Sequence, residues 1–207
     1  QLQPPSIPSL MHLLVLDHHD SFVHNILQLL RESEGVTFDR IQTEALDLHQ
    51  LNRYDGVILS PGPCTPVDYP NTQQLITSSI ASDLPILGIC LGHQAIAEHF
   101  GAKLYQLPAP LHGHASRLTR IDSTDSVVGW AHEGSLIGRY HSWAVAPSTL
   151  PEGLLATSFS EEPGEGSVLM SIRHRELPIW GLQFHPESMI TERGKDYISG
   201  FLDHIAH

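Results

Sequence analysis

The sequence predicts an α/β fold: a mostly parallel, open sheet with helices on both faces, plus an antiparallel portion in the second half. Three observations predict it. In the first half, short continuous apolar runs alternate with longer amphipathic ones, as buried parallel strands alternate with the helices that cover them. In the second half, four strand-like runs follow one another with turns between them. No linker-like stretch divides the chain, so residues 11–207 read as one domain.

The elements follow in order. Residues 12–17 (HLLVLD) form a buried strand. Asp20 or Ser21 caps the next helix, whose Phe22, Ile26, Leu29 and Leu30 share a face. Residues 56–60 (GVILS) are a second buried strand, ending in Pro61-Gly62-Pro63. A helix is expected over residues 71–82, a strand over 85–89 (PILGI), and a helix over 91–100 stopped by Gly101. Residues 116–121, 154–159, 167–172 and 179–184 are candidate strands, which either extend the sheet or form an antiparallel layer. Thr191 caps a last helix running to about residue 205. Residues 1–10 hold three prolines and no basic start, which excludes a signal peptide and reads as a tail ahead of the domain.

Composition narrows the function classes. A net charge of -12 argues against nucleic acid and against an anionic membrane surface. No apolar run reaches the ~20 residues of a membrane span. Two cysteines, Cys64 and Cys90, cannot build a disulfide framework, and point to a reducing, cytoplasmic setting.

Chemistry concentrates in Gly88-Ile89-Cys90-Leu91-Gly92-His93-Gln94. Glycines two before and two after the cysteine suit a tight strand-to-helix turn, the elbow that presents a nucleophile. A sulfur there sits at a helix N-terminus, which favours the attacking thiolate, and the Leu91 N–H is placed to serve an oxyanion. Alone, the pattern also reads as a small buried apolar residue. A cysteine nucleophile needs a histidine, and that histidine an orienting acceptor. Of fifteen histidines, His185 follows the last candidate strand, and active sites of parallel sheets gather at the carboxyl ends of strands. Glu187, two residues on across a proline, can turn back onto the imidazole; alone it reads more readily as a solvated surface turn. His112-x-His114 lacks a cysteine or carboxylate ligand set, so no metal site is expected. There is no G-x-S-x-G, P-loop or G-x-G-x-x-G signature.

Six segments, taken together, resemble the class I glutamine amidotransferases, the Cys-His-Glu triad family. They are Asp20-Ser21-Phe22, Ser60-Pro61-Gly62-Pro63, residues 88–94, His112-Gly113, Arg139-Tyr140-His141-Ser142 and Gln183-Phe184-His185-Pro186-Glu187-Ser188. The nearest resemblance is to the glutaminase subunits of anthranilate synthase and para-aminobenzoate (aminodeoxychorismate) synthase. It implies Cys90 as nucleophile, His185 as base and acid, and Glu187 as its orienting partner. It implies oxyanion donors at Gly62 and Leu91, and glutamine contacts at Gly62, Pro63, Cys64, Gln94, Ser142 and Trp143. It further implies that this chain needs no cofactor, and that a partner synthase subunit holds chorismate and Mg²⁺, for which 207 residues leave no room. The rivals are an amidotransferase of another pathway, forming GMP or carbamoyl phosphate, and a non-catalytic scaffold that only binds a partner. Departures from the family are His18-His19 where Asn-Tyr is frequent, His114 where lysine is common and Trp143 where leucine is usual. Cys64 occurs in some para-aminobenzoate relatives where many anthranilate ones carry glycine.

Overall fold

The computed structural model describes residues 10–206; all but the last of the ten N-terminal residues read as a tail lie outside that range. The chain runs β1 (Met11–Asp17), α1 (Val23–Arg31), β2 (Val36–Gln42), β3 (Gly56–Leu59), α2 (Pro70–Ala81), β4 (Ile86–Ile89), α3 (Leu91–His99) and β5 (Leu104–Gln106). It continues through β6 (His114–Thr119), β7 (Leu136–Arg139), β8 (Trp143–Val145), β9 (Leu154–Glu162), β10 (Gly166–His174), β11 (Ile179–Leu182) and α4 (Gly194–Ile205).

Nine strands form one sheet in the order β2-β1-β3-β4-β11-β10-β9-β6-β7. The first five are mutually parallel, and β10, β9, β6 and β7 continue the same sheet antiparallel. Of the two expectations for the second half, the structure takes the extended sheet. β5 and β8 pair separately.

Strand periodicity explains the two cores. Successive side chains point to opposite faces. Leu13, Val15, Ile58, Leu87 and Ile89 therefore pack with α1 and α4 on one side, while Leu14, Leu16, Val57, Leu59 and Ile86 pack with α2 and α3 on the other. Each such side chain, fully buried, contributes about 1.5–3 kcal/mol. Among the described residues no helix is long and apolar enough to cross a membrane.

Three local expectations need correction. Helix α1 begins at Val23 with Phe22 at its cap, and it buries Val23, Ile26, Leu27 and Leu30. Leu29 is only partly covered, and Phe22 turns to the site. Asp20 instead accepts the Phe22 N–H at 2.7 Å in the turn before the helix. Thr191 does not cap α4, which starts after Arg193 in a left-handed conformation. Its hydroxyl donates to the His185 carbonyl at 2.6 Å and accepts the Gly138 N–H at 3.0 Å.

Candidate active site

Cys90 stands between β4 and α3 with φ 52° and ψ -102°, a conformation costing a non-glycine residue on the order of 1–3 kcal/mol. The flanking glycines make the turn possible. A Cβ on Gly88 would lie 2.4 Å from the Gly92 carbonyl, and one on Gly92 would lie 2.4 Å from the Leu59 carbonyl. The Cys90 N–H donates to the Leu182 carbonyl at 2.7 Å, and its carbonyl accepts the Gln94 N–H at 3.0 Å. These bonds tie the turn to β11 and start α3.

His185 emerges beside it, because β4 and β11 are parallel neighbours that end together, Ile89 opposite Leu182. Its N–H donates to the Gly138 carbonyl of β7 at 3.0 Å. The ring packs edge-on against Phe22 and Tyr140, at 5.0 and 4.9 Å between centroids. Nδ1 donates to Glu187 Oε1 at 2.6 Å, which leaves Nε2 without a hydrogen bond to any described residue. Burial works to depress the imidazole pKa. The Glu187 carboxylate, and after it Cys90, outweigh burial and hold the pKa well above 6.5.

His141 stands near as a second candidate base, and its environment disqualifies it. Its Nδ1 donates to the Trp143 carbonyl at 2.7 Å, and its Nε2 accepts from Arg139 Nε at 3.1 Å. Burial, then the Arg139 charge, lower its pKa to about 3. Both nitrogens are committed, so it neither takes up nor delivers a proton. Arg139 is itself fully buried and paired with Glu165 at 3.0 Å.

A pocket of about 220 Å³ opens at Cys90, lined by Gly62, Pro63, Cys64, Gln94, Tyr140, His141, Ser142 and Trp143. It is smaller than the roughly 300–1,000 Å³ of drug-sized sites and suits one amino acid. Every residue expected to contact glutamine lies on this wall. Gly62 and Leu91, the expected oxyanion donors, lie close together, a Cβ on Gly62 coming 3.3 Å from the Leu91 side chain, and among the described residues neither N–H donates to a protein group. A Cβ on Gly62 would meet the His18 Cβ at 2.5 Å, so only glycine lets the loop lie this close. His18 anchors that loop: its Nδ1 donates to the Ser60 carbonyl at 2.9 Å, and Nε2 accepts from Thr72 at 2.8 Å. Cys64 is exposed with φ 68°, a conformation glycine holds without strain.

A family model described as glutamine amidotransferase class-I matches residues 14–205. The chain belongs to that family. An anthranilate synthase component 2 from Thermus thermophilus is 39% identical over 197 residues, covering 93% of this chain and 92% of its own. An aminodeoxychorismate synthase component 2 from Serratia marcescens is 36% identical over 196 residues, covering 92% and 99%. The solved fold of a Thermoplasma acidophilum protein named for GMP synthase superposes with a TM-score of 0.80 at 25% identity, covering 95% of this chain and 94% of that one.

As a class I glutamine amidotransferase, the chain hydrolyses glutamine, and the pocket at Cys90 is its candidate active site. Sequence reasoning did not assign roles to Phe22 and Tyr140, which clamp the His185 ring, or to the Arg139–His141 pair. Their segments stood in the motifs, but a ring clamp is a contact between distant loops, with no local signature. Among the described residues no three His, Cys, Asp or Glu side chains converge as a metal site. His114 faces Glu162 at 3.3 Å, and His112 is exposed.

Proposed function

We propose that this amidotransferase is the glutaminase component of a chorismate-using synthase, making ammonia for a separate synthase subunit. The carrying observation is the juxtaposition of the Cys90 elbow, the His185–Glu187 pair and an amino-acid-sized pocket.

Cys90 sulfur attacks the side-chain amide carbon of glutamine. The oxyanion is received by the Gly62 and Leu91 N–H groups. His185, held as imidazolium by Glu187, gives its proton to the departing nitrogen, and ammonia leaves a γ-glutamyl thioester. Neutral His185 then takes a proton from water, which attacks the thioester and releases glutamate and the thiolate. Gln94 offers recognition: its Nε2 is spent on the Trp143 carbonyl and on Gln183, so its Oε1 is left to accept from the substrate ammonium. Pro63, Cys64, Ser142 and Trp143 complete the glutamine wall.

The relatives named as component 2 of anthranilate and of aminodeoxychorismate synthases support a component I partner that binds chorismate with Mg²⁺. Those relatives match about equally well, so the product is anthranilate or para-aminobenzoate. Two free cysteines, one of them the nucleophile, suit a cytoplasmic setting. The isolated chain is expected to be a poor glutaminase. The proline-rich loop carrying Gly62 needs only a ~1 Å misplacement to lose on the order of 10²-fold in rate.

The test is glutamate release at saturating glutamine, with and without chorismate and each candidate synthase partner. Strong activation by one of them is expected. Cys90→Ser should then abolish glutamine-dependent product yet spare synthesis from added ammonium. If the chain alone matches every mixture in rate, it is a free-standing glutaminase and the partner reading fails.

A further inference from the structure

Gln183 is fully buried, and none of the hydrolytic steps uses it. Its side chain lies between Gln94 and Cys90, and its orientation is dictated from outside. The Trp143 carbonyl can only accept, so the Gln94 atom 2.9 Å away is Nε2. The same nitrogen meets Gln183 at 3.2 Å, so the atom it meets is Oε1. That turns Gln183 Nε2 towards Cys90 Sγ, 3.7 Å away and within hydrogen-bonding range of sulfur. The chain from a backbone carbonyl through two amides to the thiol has one polarity only.

We infer that Gln183 is a further catalytic residue, whose side-chain amide donates to the Cys90 sulfur and stabilises the thiolate that attacks glutamine and later leaves the thioester. The inference rests on Cys90 being the nucleophile. Cys90 is 5% exposed, and a donor to an anion in a largely buried setting is worth more than in solvent. The chain also links binding to chemistry. Substrate ammonium on Gln94 Oε1 polarises the Gln94 amide, which polarises Gln183, which strengthens the bond to sulfur.

The titratable and charged groups around this site are His185 with Glu187 behind it, His141 with Arg139, and His93 from α3. Gln183 is uncharged, so replacing it by leucine leaves all of them in place, and a change in how the sulfur responds to pH then reports the lost donor; replacing it by glutamate adds a charge beside the sulfur as well.

The experiment is the pH dependence of Cys90 alkylation by iodoacetamide in the full chain, for wild type, Gln183→Leu and Gln183→Glu. The glutamate keeps an acceptor for Gln94 and puts an oxygen where the donor was. The profile should move up by about one pH unit or more in the leucine variant, and further in the glutamate variant. Glutamine-dependent kcat should fall about tenfold or more, with a smaller change in KM for Gln183→Glu. Folded variants whose profiles superimpose on wild type would overturn the role. Should both variants fail to fold, the Gln183 side-chain amide resonance of the wild-type protein, followed against pH, is expected to track Cys90 ionisation and to be flat in Cys90→Ser; a flat wild-type response overturns it. Protection of wild-type Cys90 by glutamine tests the parent reading separately, since it can hold while the Gln183 profiles stay unmoved.

Discussion

Two histidines stand within one site and are driven in opposite directions. His141 is pressed down to about 3 by burial and Arg139, and His185 is lifted above 6.5 because Glu187 and Cys90 outweigh its burial. This separation supports His185 rather than His141 as the proposed proton carrier, on grounds independent of sequence position. His185→Ala should lower kcat on the order of 10⁴-fold or more, since the donor to ammonia and the base for water are lost together. Glu187→Gln should cost roughly tenfold to a hundredfold less, because the proton carrier survives. The pH response has a definite sign. Glu187 raises the His185 pKa, so the imidazolium persists to higher pH than an ordinary histidine's. Its loss should move the alkaline limb of kcat/KM to lower pH. The pair's contribution to stability is complete below about 6.5 and fades as pH rises through the elevated value, so the difference in Tm between wild type and Glu187→Gln should shrink at alkaline pH. Equal, near-wild-type activity of both variants would show that another group carries the proton.

Helix α3 packs so tightly on the sheet that its first turn has no room for a methyl group. Gly88→Ala and Gly92→Ala each drive a Cβ to 2.4 Å from backbone, and backbone cannot rotate away. Each should lower unfolding free energy by about 1–3 kcal/mol or more and abolish thiol presentation. Gly101→Ala, at φ 102° with nothing within 4 Å, meets no clash and should cost only its backbone strain, about 1–3 kcal/mol. Urea denaturation measures each, and wild-type stability in Gly88→Ala would refute the close approach. These glycines were legible in the sequence because their spacing is local. So were β1, β3, β4 and β11, whose runs are continuous because both faces are covered. β2 escaped notice: it pairs only with β1, and VTFDRIQ is half exposed along its length. β5, β7 and β8 are three or four residues long, too short for a period to show. Thr191 misled because a hydroxyl that clamps the His185 turn looks, in sequence, like a cap. The direction of the Gln183 amide was illegible for a deeper reason: it is inherited from the Trp143 carbonyl, forty residues away in the chain.

Across the whole molecule, His18, His93 and His141 are buried and neutral, with pKa values lowered by burial to about 4, 4 and 3. Each takes up a proton on unfolding between about 6.5 and its folded value. Stability is therefore present above pH 6.5 and lost as pH falls, at about 1.4 kcal/mol per pH unit for each group. His185 is protonated in both states over that range and adds nothing. Unfolding free energy measured at pH 7, 6 and 5 should drop steeply; a flat profile would mean these histidines are hydrated or already charged. The sheet order carries one more consequence. β11 lies between β4 and β10, yet among the described residues no later strand exists. The middle of the sheet is thus filled by the last of the described strands. Without β11 the parallel and antiparallel parts of the sheet would face each other across open edges, and Cys90 would have neither Gln183 nor His185 beside it. Under the proposed mechanism, a chain that stops short of β11 is expected to leave glutamine intact until that strand joins the two parts.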